Sequence, residues 1–152
     1  LRLLEELIAE SWRTGELRSM DSETLRKIAA EYDAIAESDF PSYKEAVERA
    51  SRLLALVRVK KTLRGMPVPE ESLDHGILGK ILRIIEILSS AYSGTLMLTA
   101  DGRLLIRAGK PMLVNGVLIP PGSSMLVSLS EAADALAEGR AVPILPGKDG
   151  NT

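Results

Sequence analysis

The sequence predicts an α+β protein: an N-terminal, mainly α four-helix bundle followed by a small β-rich domain with one short helix. Three observations carry this expectation. Up to about residue 93, apolar residues recur at three-and-four spacing. After Ser93-Gly94 the pattern changes to short apolar runs separated by turn residues. Two of those separators, Asp101-Gly102 and Asn115-Gly116, suit type I′ hairpin turns, in which two successive residues need positive φ. The domains expected are therefore 1–93, helical, and 94–152, β-rich. Within the second, 94–109 is expected as a linker or hairpin and 147–152 as a flexible tail.

The first helix runs from Leu1 to about Thr14, with Leu3, Leu4, Leu7, Ile8 and Trp12 on one stripe and Gly15 as its stop. The second has Asp21 as N-cap, which makes Met20 and Leu25 the two halves of a hydrophobic staple. Its stripe is Leu25, Ile28, Ala29, Tyr32 and Ile35, and Pro41 separates it from the third helix. That third helix, roughly Ser42 to Arg64, has one stripe of Tyr43, Ala46, Val47, Ala50, Leu53, Leu54 and Val57. A second stripe, Leu56, Val59 and Leu63, lies on another face, and Gly65, Pro67 and Pro69 end the helix.

The fourth helix, roughly Glu70 to Tyr92, is apolar on most of its circumference. Ile77, Ile81, Ile84, Ile85 and Leu88 form one face, which Leu78, Leu82 and Ile87 widen. A domain of about ninety residues has little interior with which to cover such helices. A subunit interface is therefore expected at Leu56, Arg58, Val59, Lys61, Leu63, Ile77, Leu78, Ile81 and Leu82.

In the β-rich part, Leu96-Met97-Leu98 is expected to pair with Leu104-Leu105-Ile106, and Met112-Leu113-Val114 with Val117-Leu118-Ile119. Pro120-Pro121-Gly122 reads as a rigid turn and Met125-Leu126-Val127 as a strand. Ser130 is expected to cap a short helix from Glu131 to Glu138, closed by Gly139. Val142-Pro143-Ile144 reads as an edge strand, because its proline cannot donate to a ladder.

Composition narrows the function classes. The chain has 152 residues, is 45% hydrophobic and 26% charged, and carries a formal charge of −2. That is the composition of a folded domain, and it gives no general affinity for polyanions. With no cysteine, disulfides and thiolate metal sites are excluded. Glutamine is absent and Asn115 and Asn151 are the only asparagines, which, with abundant Arg, Glu, Leu and Ile, is a thermophile-like balance. No signal peptide is expected at the start of the sequence. The most apolar stretch, Ile77 to Ala91, is interrupted by Lys80, Arg83 and Glu86 and is too short for a membrane span. A cytoplasmic protein is expected.

Groups able to carry chemistry are sparse. His75, the only histidine, has no ligand cluster around it in the sequence and reads as a surface residue at a helix start. Gly76-Ile77-Leu78-Gly79-Lys80 fails the phosphate-loop pattern, which needs glycine where Asp74 stands and Ser or Thr where Ile81 stands. Ser123-Ser124 lacks a nucleophile elbow, and Glu5-Glu6 and Glu70-Glu71 read as solvated helix acids. No catalytic residue, cofactor or metal is expected. The cluster Arg58, Lys60, Lys61 and Arg64 has two readings. Singly these are cations at a helix C-terminus; Arg58 with Lys61 reads rather as a subunit or nucleic-acid contact.

The order of motifs resembles a subunit of GINS, the accessory complex of the archaeal and eukaryotic replicative helicase. The residues that carry the resemblance begin with the long helix ending Leu53-Leu-Ala-Leu-Val-Arg58-Val-Lys-Lys61 and the expected helix start Pro69-Glu-Glu-Ser-Leu73. They continue through Pro111-Met-Leu-Val-Asn-Gly116-Val-Leu-Ile-Pro120-Pro-Gly122 and close on Leu129-Ser-Glu-Ala-Ala133-Asp-Ala-Leu136-Ala-Glu-Gly139-Arg-Ala141. Arg58 and Lys61 match an Arg-x-x-Lys signature, and Asn115, Gly116, Pro120 and Gly122 mark the β-domain turn. Leu118, Ile119 and Ser123 depart from the family's aromatic, glycine and aspartate. Helices first and β domain second is the order of one GINS subgroup.

The resemblance implies a scaffold that assembles with a second GINS subunit, or with itself, into a tetramer. Such a tetramer bridges the MCM helicase to a RecJ-like protein, with primase or polymerase as further partners and weak or indirect DNA contact. It also implies a movable β domain, with Gly94 at the hinge. The alternative is a nucleic-acid-binding regulator using the Arg58–Arg64 cluster. One Trp, three Tyr and one Phe offer it few stacking platforms.

Overall fold

A computed structural model describes residues 2–37 and 41–144. Leu1 and the expected tail at 147–152 lie outside the described residues. The order of elements is α1 (Arg2–Arg13), α2 (Ser22–Ala36), α3 (Pro41–Leu63), α4 (His75–Tyr92), β1 (Arg103–Ala108), β2 (Met112–Val114), β3 (Val117–Ile119), β4 (Ser124–Ser128), α5 (Leu129–Ala137) and β5 (Ala141–Pro143). This is the α+β class that the change of period indicates. The chain divides into two compact units, Leu1–Gly79 and Lys80–Thr152. The division falls inside α4, earlier than the change of period at Gly94.

In the first unit, α3 packs against both α1 and α2. Leu4, Leu7, Met20, Val47 and Leu54 form the buried core, and Ile28, Tyr32, Ile35 and Ala50 close over it. Each aliphatic side chain buried in this way contributes about 1.5–3 kcal/mol. The Asp21 carboxylate accepts the Thr24 amide at 2.7 Å and so caps α2. That hydrogen bond holds the Asp21 carboxyl below its ordinary range. The expected staple is one-sided: Met20 is buried, whereas Leu25 is 43% exposed. Trp12, expected on the packed stripe of the first helix, is 60% exposed.

The C-terminus of α3 is closed by Gly65, whose φ of 88° is a left-handed conformation. The Gly65 and Met66 amides return to the Thr62 and Lys61 carbonyls, a double bond pattern that satisfies the last turn. The fourth helix begins later than expected. Residues 70–74 are turns, not helix, so Pro69-Glu-Glu-Ser-Leu73 is not a helix start. The physical reason is that Ser72 and Asp74 are bound to groups elsewhere in this unit.

In the second unit, β4, β1 and β5 form an antiparallel sheet in that order, and β2 and β3 form a separate hairpin. β5 lies at an edge, as its proline requires. The strand β1 alternates strictly between exposed and buried residues. Its inner face (Leu104, Ile106, Ala108) packs with Val127 and Met112 against Ala132 and Ala135 of α5. Alanines on α5 let the helix approach the sheet closely.

Two local expectations are corrected here. Leu96-Met97-Leu98 forms no strand: its ladder pairing with β1 is an isolated Leu98–Leu104 bridge, and Leu96 is buried in the same core as Leu104 and Ile106. The Asp101-Gly102 turn is not type I′, because Gly102 has positive φ and Asp101 does not. The Thr99 amide bonds the Arg103 carbonyl and the Gly102 amide bonds the Thr99 carbonyl, which makes a three-residue loop. The N-cap of α5 is Ser128, two residues before the expected Ser130. A reciprocal capping box with Glu131 fixes that start. Gly139 closes α5 as expected, with the Arg140 amide on the Ala135 carbonyl. Gly94, expected at a hinge between domains, lies within the second unit, where its amide closes α4 on the Ala91 carbonyl.

Candidate functional site

The cationic end of α3 is the most constrained polar region of the first unit. One helical turn separates Arg58 from Lys61 and Thr62, so all three point to the same side, and all three are buried. Arg58 Nε donates to Asp74 Oδ2 at 2.6 Å, and Nη2 donates to Oδ1 at 3.0 Å. Its Nη1 donates to the Arg18 carbonyl at 2.8 Å. Ser72 completes the hub: its hydroxyl accepts the Met20 amide at 2.8 Å and donates to Asp74 Oδ1 at 2.6 Å. Lys61 Nζ donates to the Thr14 carbonyl at 2.6 Å.

These bonds tie two loops, 14–20 and 66–74, to one helix. The guanidinium fork matches the carboxylate in a two-point contact that a lysine cannot make. Burial works against the charge on Asp74. Hydrogen bonds from Arg58 and Ser72, with the Arg58 charge, outweigh it and hold the carboxyl below its ordinary range. The hub fastens these loops to α3, and each of its charged groups has a partner inside the unit.

The expected subunit-interface residues therefore divide. Arg58 and Lys61 are internal, a correction to their expected contact with a partner or nucleic acid. The cause is that both are satisfied by Asp74 and by loop carbonyls. Leu78 is also buried, at 4%. Val59, Ile81 and Leu82 are half-buried. Leu56, Leu63 and Ile77 remain on the surface, at 60%, 43% and 64% exposure.

Leu53, Leu56, Lys60 and Leu63 follow the i, i+3, i+7, i+10 spacing of a single face of α3. Lys60 places its ammonium 6.0 Å from the centre of the Trp12 ring, which brings that aromatic to the same face. The first unit thus carries an uncovered apolar stripe along α3, flanked by Trp12.

In the second unit, Asn115 and Gly116 adopt φ of 50° and 78°, the expected type I′ turn. Pro120 and Gly122 build a second turn, in which the Ser123 amide reaches the Pro120 carbonyl and Gly122 has positive φ. That turn is fastened to the end of β1, because Gly122 donates to the Ala108 carbonyl and Ala108 donates to that of Ser123. The β2–β3 hairpin leaves Leu113, Val117 and Leu118 exposed. His75 is exposed at the start of α4, with Nδ1 3.1 Å from the Val68 carbonyl.

Ser72 and Asp74 were not legible as partners of Arg58. They lie beyond a break in the helical pattern, and nothing periodic joins a carboxylate to a cation sixteen residues away. The one available signal was Asp74 itself, an acid at the margin of an otherwise apolar helix. Among the described residues, no group of three or more His, Cys, Asp or Glu is placed to hold a metal ion, and no helix is long and apolar enough to cross a membrane. No protein-family model, curated protein or solved structure matches this chain.

Proposed function

We propose that this chain is a non-enzymatic scaffold subunit of a GINS-type complex, assembling with a second subunit or with itself and contacting the MCM helicase and a RecJ-like protein. The observation that carries the reading is the stripe Leu53, Leu56 and Leu63 with Trp12 beside it. Single exposed leucines are ordinary on a protein surface, whereas an aligned apolar face on a long helix marks an interaction surface. The order of helical and β units, and the resemblance of the motifs that punctuate them, support a GINS-type complex as the assembly.

The nucleic-acid alternative draws less support. Two of its four cations, Arg58 and Lys61, are consumed inside the molecule. Affinity capture from a lysate of the source organism, followed by mass spectrometry, tests the proposal. Recovery of MCM or a second GINS-like chain is the expected result. Recovery of only ribosomal or metabolic proteins, or salt-sensitive DNA binding by the isolated chain without those partners, contradicts it.

A further inference from the structure

Among the described residues, α5 covers the inner face of the three-stranded sheet, while the side chains of its outer face stay exposed. Leu105 of β1 and Leu126 of β4 sit opposite each other on that face, and Val142 of β5 lies opposite Arg107. They are 40%, 43% and 55% exposed. Arg103 and Arg107 occupy the same face on either side of Leu105, following the alternation of β1. The two remaining positions on the face are serines, and no carboxylate stands among the strand positions. Asp101, which pairs with Arg103 at 2.9 Å, lies off the strand in the hairpin loop.

We propose that this outer face binds an acidic amphipathic helix of a partner protein, laid along β1. Its aliphatic residues would cover Leu105, Leu126 and Val142, and its carboxylates would meet Arg103 and Arg107. Packing a helix on each face of a sheet is a stable layer arrangement, and here the described residues supply the layer on the inner face alone. The two arginines stand four residues apart on a strand, about 13 Å. Acidic residues seven or eight positions apart on a helix are separated by about 11–12 Å along its axis, which matches that spacing.

Arg103 and Arg107 each have an interaction within the chain. The Arg103–Asp101 pair is more than half exposed on both sides, so its exchange for a partner's carboxylate is inexpensive. A nucleic acid fits the face less well. Residues 94–144 contain no aromatic side chain on which a base could stack, and the centre of the face is aliphatic. This proposal concerns a surface separate from the α3 stripe and does not depend on the assembly proposed for it.

The test is fluorescence anisotropy with the full chain and three labelled probes. One is a twelve-residue amphipathic peptide with glutamates and leucines at the stated spacing. The second is the same peptide with lysine for each glutamate, and the third is a twelve-nucleotide thymidine oligomer. The acidic peptide should bind, and added salt should weaken it. Arg103→Glu with Arg107→Glu should weaken it by at least roughly tenfold, since both paired charges are reversed. Leu126→Thr, which keeps a strand-forming residue, should weaken binding without changing the circular dichroism spectrum. Failure of the acidic peptide to bind overturns the proposal. So does equal or tighter binding of the lysine peptide or the oligomer, or binding unchanged in either variant.

Discussion

Removing the Asp74 carboxylate isolates the Arg58 charge inside the first unit, and the consequence follows from the geometry. The Arg58 side chain is 4% exposed and gives two of its hydrogen bonds to Asp74. In Asp74→Ala it retains only the Arg18 carbonyl and Ser72 as partners. Breaking a buried pair from one side costs about 3–5 kcal/mol, because the other charge stays desolvated. Asp74 is itself 25% exposed, so water can reach part of the gap, and the expected loss lies near ~3 kcal/mol. For a unit of this size, that corresponds to a melting point lower by about 12–24 °C.

Guanidinium denaturation followed by far-ultraviolet circular dichroism measures the loss. Trp12, the only tryptophan, reports separately on the first unit by fluorescence. Adding Arg58→Met to Asp74→Ala should recover part of the stability, because the uncompensated charge is then gone. A single variant within about 0.5 kcal/mol of the parent, the size of an ordinary surface change, refutes the reasoning. A double variant no more stable than the single also refutes it.

Acid should act on the same hub. The folded-state carboxyl of Asp74 is held low, as are those of Asp21, Asp101 and Glu138, so their contributions are complete above the unfolded-state range near ~4 and are lost as pH falls through the folded values. A melting temperature that is flat from neutral pH to about 5 and falls steeply below 4 is expected; a flat profile down to pH 2 contradicts this. Ser128→Ala removes the α5 cap and should cost about 1 kcal/mol by denaturant titration, whereas Ser130→Ala, at the position sequence reading favoured, should cost less. Asn115→Val places a β-branched residue at a φ of 50° and should destabilise the second unit by about 1–2 kcal/mol, while Asn115→Gly should be close to neutral. Equal effects of the two Asn115 substitutions would show that the turn tolerates either conformation.

The elements that sequence reading located well are those defined by period and punctuation. The helices α1 to α3, the 115–116 turn, the glycine closing α5 and the edge position of β5 each follow from local chemistry. Where it failed, a nonlocal or finely balanced choice decided the outcome. Ser128 and Ser130 are both good caps, and Glu131 selected Ser128 because it stands three residues after it. The start of α4 moved from Glu70 to His75 because Ser72 and Asp74 are held by Arg58 and Met20.

The same contacts explain why the candidate interface was only half legible. Along α3, Leu56 and Arg58 look equally available on a helical wheel. Which of them is covered depends on loops 14–20 and 66–74, whose paths no periodicity encodes. The uncovered part, by contrast, was readable as a second apolar stripe at Leu56 and Leu63.

The most direct test of the scaffold reading compares two baits in affinity capture from the source lysate: the parent chain and a variant carrying Leu56→Glu and Leu63→Glu. The two positions are 60% and 43% exposed, so the variant should fold with the parent's circular dichroism spectrum. The parent should recover replicative-helicase proteins or a GINS-like chain, and the variant should lose them. Equal recovery of those proteins by the two baits, or their absence from both, would contradict the scaffold reading.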